Sequence, residues 1–217
     1  MIRMSAEVWG KVRRQILTPS FWLRALPRLK STYMFRADLK NYRLDTVCTP
    51  AGYDLIFPWR ETAVVSDGDE ALCSREALIA QMSSGDLIGV ALYEGRVVHH
   101  SLAQTRGTVV TESARSAFEL QDKDAYIHYC KTTPGHQGKG IYTMMLHNIL
   151  TGLAQEGYRN AYISCAQHNT ASARGILKAG FAYDYSEKAL WMLSGHIRLA
   201  FKCTEPDNLT VSKKVAR

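Results

Sequence analysis

A glycine-rich loop between a predicted strand and a predicted helix has the clearest chemical potential in this chain. Residues 134–142 read Pro-Gly-His-Gln-Gly-Lys-Gly-Ile-Tyr, and an apolar helical pattern follows them. The glycines expose consecutive backbone N–H groups at the positive end of a helix dipole, an arrangement that binds phosphate. The spacing matches neither G-x-x-x-x-G-K-[ST] nor G-x-G-x-x-G, which disfavours a nucleoside triphosphate or a dinucleotide as the ligand.

The segments around this loop predict strands and helices that would hold it in place. A strand pattern precedes the loop, and the helical pattern after it ends at Gly157. Glu94-Gly95 joins two apolar runs and indicates a hairpin. The predicted strands cover residues 43–49, 86–93, 96–104, 125–133, 161–166, 181–185, 189–193 and 197–201, and the predicted helices cover residues 5–17, 70–82, 141–156 and 170–178.

Two blocks of the sequence resemble a known family. Gln137 and Gly140 match the Q/R-x-x-G-x-G/A loop of the GNAT superfamily of acyl-CoA N-acyltransferases, whereas Tyr142 replaces its final small residue. The second block runs Asn169-Thr170-Ala171-Ser172 and continues to Gly180-Phe181, which is similar to the family's Asn-x-x-Ala/Ser and Gly-Phe elements. The blocks lie in the family's order, and the resemblance extends over about residues 85–185.

The resemblance implies a fold of mixed α/β (α+β) class. Its central sheet would be mostly antiparallel and flanked by helices, and its fourth and fifth strands would splay apart to admit the pantetheine arm. We expect three parts in the chain: a basic, helical N-terminal extension over residues 1–42, the acyltransferase domain over residues 43–204 and a polar tail over residues 205–217.

The resemblance also implies which residues hold acetyl-CoA or another acyl-CoA. The loop amides would bind the pyrophosphate, Asn169 would bind the pantetheine arm, and N–H groups near residues 130–132 would polarise the thioester carbonyl. An N-cap role for Asn169 is compatible with this, and Lys139 has the alternative of facing solvent. The candidate coenzyme-binding residues are Thr132, Gln137, Gly138, Lys139, Gly140, Ile141, Tyr142, Asn169 and Ser172.

The proton-transfer groups of the family are not carried over in a simple way. Many relatives have an acidic Tyr seven residues after the Asn, where this chain has Ile176, and a basic Glu near the position of Ser164. Ser172 is a candidate proton donor to the thiolate, with a helix N-terminal serine as the alternative. Histidine is the natural base near neutral pH, and His100 and His128 are our candidates among several in this region.

The composition is that of a globular protein with one domain. The chain has 217 residues, 46% hydrophobic and 22% charged, and lacks the patterns of a transmembrane helix or a signal peptide. Its five cysteines form no C-x-x-C pair, which argues against a zinc site or a disulfide framework and for a reducing, cytoplasmic compartment. We therefore expect no metal.

Positive charge is concentrated at the N-terminus. Residues 1–43 carry ten Lys or Arg and two acidic residues, whereas the rest of the chain is nearly neutral. This asymmetry suggests an anionic partner for the segment. Two interpretations stay open: an interfacial segment at a membrane surface, and a segment that packs on the domain or on a second copy in a homodimer. A nucleic-acid partner lacks a recognised motif.

These observations predict an acyl-CoA-dependent N-acyltransferase, with acetyl-CoA as the donor and direct attack by a primary amine of a small molecule or amino sugar. We expect the acceptor to meet residues 45–85, including Tyr53, Phe57, Trp59 and Arg60, with packing under the loop as the alternative for each. A longer acyl donor and a non-catalytic acyl-CoA-binding regulatory module are the alternative functions.

Overall fold

The computed structural model describes residues 28–40, 42, 49–58, 79–80, 85–111, 116–192 and 197–203. Within these ranges we number ten strands and two α-helices of more than one turn. The strands are β1 (Arg28–Asp38), β2 (Tyr53–Ile56), β3 (Leu87–Tyr93), β4 (Arg96–Gln104), β5 (Thr108–Val110), β6 (Ala117–Glu119), β7 (Asp124–Thr132), β8 (Asn160–Ala166), β9 (Ala182–Met192) and β10 (Ile197–Cys203). The helices are α1 (Ile141–Gln155) and α2 (Thr170–Lys178).

Eight of the strands form one sheet in the order β10-β9-β1-β8-β7-β4-β3-β2, and β5 and β6 form a separate hairpin. In this sheet β7 and β8 pair in parallel, and the other pairs are antiparallel. The expected mixed fold with a mostly antiparallel sheet is therefore confirmed. The expected helical N-terminal extension and the C-terminal tail fall largely or wholly outside the described residues.

The strand β1 corrects the predicted boundary at residue 42. It lies between β8 and β9, antiparallel to both, and so belongs to the sheet rather than to an extension. Thr32, Tyr33, Met34 and Phe35 are all buried, because both faces of this central strand are covered. Basic residues on both sides of this short apolar run obscure the apolar periodicity that would have predicted a strand.

Helix α1 packs on the sheet through its apolar positions. Met145, Leu146, Ile149, Leu150 and Leu153 are fully buried in a core shared with β1, β7 and β8.

The predicted hairpin turn is present between β3 and β4. Glu94 and Gly95 join the two strands with φ values of 52° and 76°. Positive φ at both turn residues is typical of the predicted hairpin turn.

The parallel strands β7 and β8 part half-way along their length. Their register runs from Asp124 opposite Asn160 to Ile127 opposite Ile163, although both strands continue beyond that point. At Tyr129, φ is 51° and β7 carries one extra residue against β4, as in a β-bulge. The main chain of residues 128–132 therefore faces a gap that we call the β7–β8 gap.

Most other predicted elements are confirmed, with small shifts at their ends. The strands over residues 86–93, 96–104, 125–133 and 161–166 and the helices over residues 141–156 and 170–178 correspond to β3, β4, β7, β8, α1 and α2. The strands predicted over residues 181–185 and 189–193 are one continuous strand, β9. The strand at 43–49 and the helices at 5–17 and 70–82 lie wholly or mostly outside the described residues.

Truncation of a β1 core side chain tests whether this strand belongs to the folded domain. Phe35 is fully buried, so we expect Phe35→Ala to lower the free energy of unfolding by about 3–5 kcal/mol. Leu29, on the same strand, is 65% exposed, and Leu29→Ala should change it by less than about 0.5 kcal/mol. Urea denaturation measures both, and equal effects would contradict the placement of β1 in the core.

Candidate functional site

The glycine-rich loop connects the end of β7 to the start of α1. A short 3-10 turn, Pro134–His136, leads into it, and the side-chain amide of Gln137 donates to the Thr132 carbonyl over 3.1 Å. Gly138 and Gly140 have φ values of 75° and 81°, in the left-handed region that favours glycine. A Cβ on either glycine would meet no atom within 4 Å, so the loop borders open space.

The first turn of α1 presents its amide groups to that space. The N–H groups of the first helical residues have no acceptor within the helix. Gly140, the N-cap residue, offers them no side-chain acceptor either. Between this turn and α2 lies a cleft of about 540 Å³, which we call the loop cleft. Of the nine coenzyme-binding candidates, Thr132, Gln137, Gly138, Gly140, Ile141, Tyr142, Asn169 and Ser172 line the loop cleft, and Lys139 does not.

Helix α2 contributes the opposite wall of the loop cleft. The side-chain oxygen of Asn169 accepts a hydrogen bond of 3.1 Å from the Ser172 N–H, so Asn169 is the N-cap of α2. Because that cap uses the oxygen, the Asn169 amide nitrogen stays a donor. Ile176, at the position where the resemblance leads one to expect a tyrosine, is fully buried in the core.

A second cavity, of about 450 Å³, opens on the β7–β8 gap and is called the gap cavity here. Cys130, Tyr142, Asn169 and Ser172 line both the gap cavity and the loop cleft, and we call these four residues the junction. A molecule that enters from the loop cleft therefore reaches the gap cavity past the junction.

His128 lies on the wall of the gap cavity with a carboxylate behind it. Its Nε2 is 3.6 Å from Asp86 Oδ2, and its ring stacks on Tyr126 with centroids 5.9 Å apart. The Tyr126 hydroxyl is in turn 2.7 Å from Ser164 Oγ, so the side chain at the family's base position is a hydrogen-bonded serine. Of the two histidine candidates, the structure places His128 at the cavity.

His100 does not line the gap cavity, which is a correction to its candidacy as the base. It is fully buried and stacks on Tyr129, and neither ring nitrogen has a hydrogen-bond partner among the described residues. Burial, with Lys131 nearby, lowers the pKa of His100 to about 4. The side chain of His99 lies on the opposite face of the sheet, where its ring nitrogens contact the hydroxyls of Thr132 and Ser101. Burial, with His100 nearby, lowers the pKa of His99 to about 3.

Two of the aromatic residues expected at the acceptor pocket, Tyr53 and Phe57, pack against the scaffold instead. The Tyr53 hydroxyl and His136 Nδ1 share a hydrogen bond of 2.7 Å, and Tyr93 contacts both rings. This contact anchors the 3-10 turn before the glycine-rich loop. Phe57 lies against α1 at Gly152, and Trp59 and Arg60 lie outside the described residues.

Coenzyme A fits the groups that these residues offer. A row of unused main-chain donors suits a pyrophosphate, and a thin pantetheine arm would run from there to the junction, with its thioester end at the mouth of the gap between the two strands. Among the described residues no group of three His, Cys, Asp or Glu could hold a metal ion. In the same part of the chain, no helix combines the length and apolar character needed to cross a bilayer.

A family model agrees with this geometry. The model of the acetyltransferase (GNAT) family matches residues 53–181, which is more than half of the chain and includes the loop, both helices and the gap. The chain belongs to the acetyltransferase (GNAT) family. Comparison with curated proteins finds no match.

Solved structures share the fold of this GNAT protein at low sequence identity. A GCN5-related N-acetyltransferase from Sphaerobacter thermophilus has a TM-score of 0.55 at 14% identity, over 91% of this chain and 60% of that one. A Drosophila protein of known structure has a TM-score of 0.50 at 8% identity, over 88% and 59% of the two chains. The chain thus spans about three fifths of the length of these structures.

Three residues of the site have no signal in the sequence that could have singled them out. Asp86 precedes β3, some 40 residues before His128, and only the register of β3, β4 and β7 brings the two together. Tyr126 and Cys165 read as ordinary strand residues, yet both line the gap cavity. Alternation along a strand predicts the face of each side chain but not the parting of the strands.

An acidic side chain in the loop tests the anion site. We expect Gly140→Asp to weaken coenzyme A binding by at least about 100-fold, because the carboxylate repels the pyrophosphate and two or more charge-assisted hydrogen bonds are lost. Gly157, at the other end of α1, has φ of 79° and equally open surroundings, so Gly157→Asp is a matched control for backbone strain. Calorimetry measures both affinities; wild-type affinity in Gly140→Asp would contradict the site.

The buried histidines predict acid sensitivity. Their pKa values of about 3 and 4 lie below the ordinary 6.5, so they contribute stability that is complete above pH 6.5 and is lost as the pH falls. Between pH 7.5 and pH 5 each should account for about 2 kcal/mol of lost unfolding free energy. Urea denaturation of the wild type and of a His99→Gln, His100→Gln double variant tests this: equal pH dependence in the two proteins would refute it.

Proposed function

We propose that this chain transfers an acetyl group from acetyl-CoA to a primary amine of a small molecule. The observation that carries the proposal is the junction, where the loop cleft and the gap cavity meet. A donor held by its pyrophosphate in the loop cleft would place its thioester there, and an acceptor in the gap cavity would approach the same carbon from the other side. This arrangement supports direct attack, since it holds both reactants together.

The lining of the gap cavity favours a short acyl group and a polar acceptor. Gln104, Tyr126, His128, Ser164 and Lys131 are among its lining residues, so a long hydrocarbon chain would meet polar side chains there instead of a uniformly apolar wall. Aromatic faces beside hydroxyl and amide groups suit a hydroxylated amine such as an amino sugar. A longer acyl donor is the alternative, and an open apolar pocket in place of the gap cavity would have supported it.

His128 is the group best placed to take the proton from the attacking amine. It borders the gap cavity, and Asp86 lies 3.6 Å behind its Nε2. A carboxylate at that distance stabilises the imidazolium that forms when the ring accepts a proton. His100 has neither the access nor the partner for this role.

The remaining tasks belong to the gap and to α2. In a strand alternate residues direct their N–H groups to the same edge, so part of the β7 main chain over residues 128–132 points into the gap and can stabilise the oxyanion. Ser172 at the junction donates to the leaving thiolate. Burial raises the pKa of the Cys165 thiol to about 11, which opposes a covalent cysteine intermediate at this residue.

Thiol release tests the activity directly. Purified full-length chain is incubated with acetyl-CoA and a panel of amino sugars, polyamines and amino acids, and with butyryl-CoA in parallel. We expect release of coenzyme A thiol that depends on one class of amine and is faster with acetyl-CoA. Faster turnover of butyryl-CoA would favour the longer donor, and binding without amine-dependent release would favour a non-catalytic module.

Removal of the imidazole tests the assignment of the base. We expect His128→Ala to lower kcat about 10²–10⁴-fold with little change in the KM for acetyl-CoA, since the ring acts on the acceptor and not on the donor. Asp86→Asn should give a smaller loss in kcat. His168→Ala is the control, because His168 is exposed and does not line the gap cavity. Full activity in His128→Ala would rule this base out.

A further inference from the structure

Tyr142 is the only junction residue that belongs to α1, and its side chain reaches across to α2. Its hydroxyl lies 3.1 Å from Ser172 Oγ. The phenol therefore meets the hydroxyl that we place at the leaving thiolate, at the point where the two cavities join. From the sequence, this tyrosine is only a coenzyme-binding candidate, at a position where the resemblance leads one to expect a small loop residue.

The packing of α2 makes room for this ring. A Cβ on Gly175 would lie 2.8 Å from Tyr142 Cδ1 and 3.0 Å from its Cε1, distances that no side chain tolerates without displacing the ring. The neighbouring Ile176 is fully buried in the core and offers no hydroxyl. Helix α2 thus has no acid of its own beyond Ser172 and accommodates a phenol that α1 provides.

A serine hydroxyl alone is too weak an acid to give up a proton to a thiolate without a second donor behind it. We propose that Tyr142 is the proton source for the leaving coenzyme A thiolate and acts through Ser172, an inference that rests on the proposed acetyl transfer. As the C–S bond breaks, Ser172 Oγ–H donates to sulfur while the Tyr142 hydroxyl donates to Ser172 Oγ. The Tyr142 oxygen takes up a proton from solvent in the gap cavity, which it lines, as its own proton leaves, and the proton of the amine leaves through His128.

The electrostatics of the junction keep the Tyr142 phenol in its protonated form. Burial raises the pKa of the Tyr142 phenol well above its ordinary value of 10, Cys130 adds to the rise, and the bond with Ser172 opposes it. The phenol is thus protonated at neutral pH.

Replacement of the phenol by a phenyl ring separates proton supply from packing. Tyr142→Phe keeps the ring over Gly175, so we expect coenzyme A affinity by calorimetry to stay within about threefold of wild type, a difference below 1 kcal/mol. With the best amine, kcat should fall about 10²–10³-fold while the KM for acetyl-CoA hardly changes. Tyr158→Phe, beyond the far end of α1, is the matched control and should retain wild-type kcat.

A second readout needs no acceptor. The pKa of the coenzyme A thiol is titrated in the protein complex by the ultraviolet absorbance of its thiolate. Tyr142→Phe lacks the hydroxyl that supports the charge-assisted hydrogen bond from Ser172 to the thiolate. The pKa of the coenzyme A thiol should therefore be about one to two units higher in this variant than in the wild type. An unchanged thiol pKa, or an unchanged kcat in that variant, would overturn the role of Tyr142. Failure of the wild type to bind coenzyme A would instead overturn the proposed function.

Discussion

The parting of β7 from β8 is the constraint on which the rest of the site depends. Two parallel strands that stayed paired would leave no room between their backbones, but here the ladder ends at Ile127 and Ile163 while both strands continue. The bulge at Tyr129 turns the part of β7 that lies beyond the parallel ladder away from β8. A polar arm that enters the gap would therefore lie between the main chains of the two strands.

Both helices of the described chain begin at the mouth of this gap. Helix α1 starts at the glycine-rich loop after β7, and α2 starts at Asn169 after β8, so their N-terminal donors converge on one space. The same geometry brings Tyr142 from one helix to Ser172 of the other. A fold that separates two strands thus brings the N-termini of both helices and the junction together.

The local elements of the site were predictable from sequence because their signals are local. Glycines with positive φ mark the loop, and Asn169 marks the start of α2 at the residue where the structure has it. The position of β1 was not predictable, since its pairing with β8 joins residues more than 120 apart and its burial on both faces over residues 32–35 interrupts alternation. The pair His128 and Asp86 depends on register across three strands in the same way.

A crystal structure of the full-length chain with coenzyme A tests the central claim most directly. The account predicts pyrophosphate oxygens within about 2.7–3.2 Å of N–H groups in the loop and in the first turn of α1, with the pantetheine arm in the β7–β8 gap. It also predicts the sulfur at the junction, in contact with Ser172. Coenzyme A bound elsewhere, or a gap closed by its own side chains with the ligand outside it, would contradict the account.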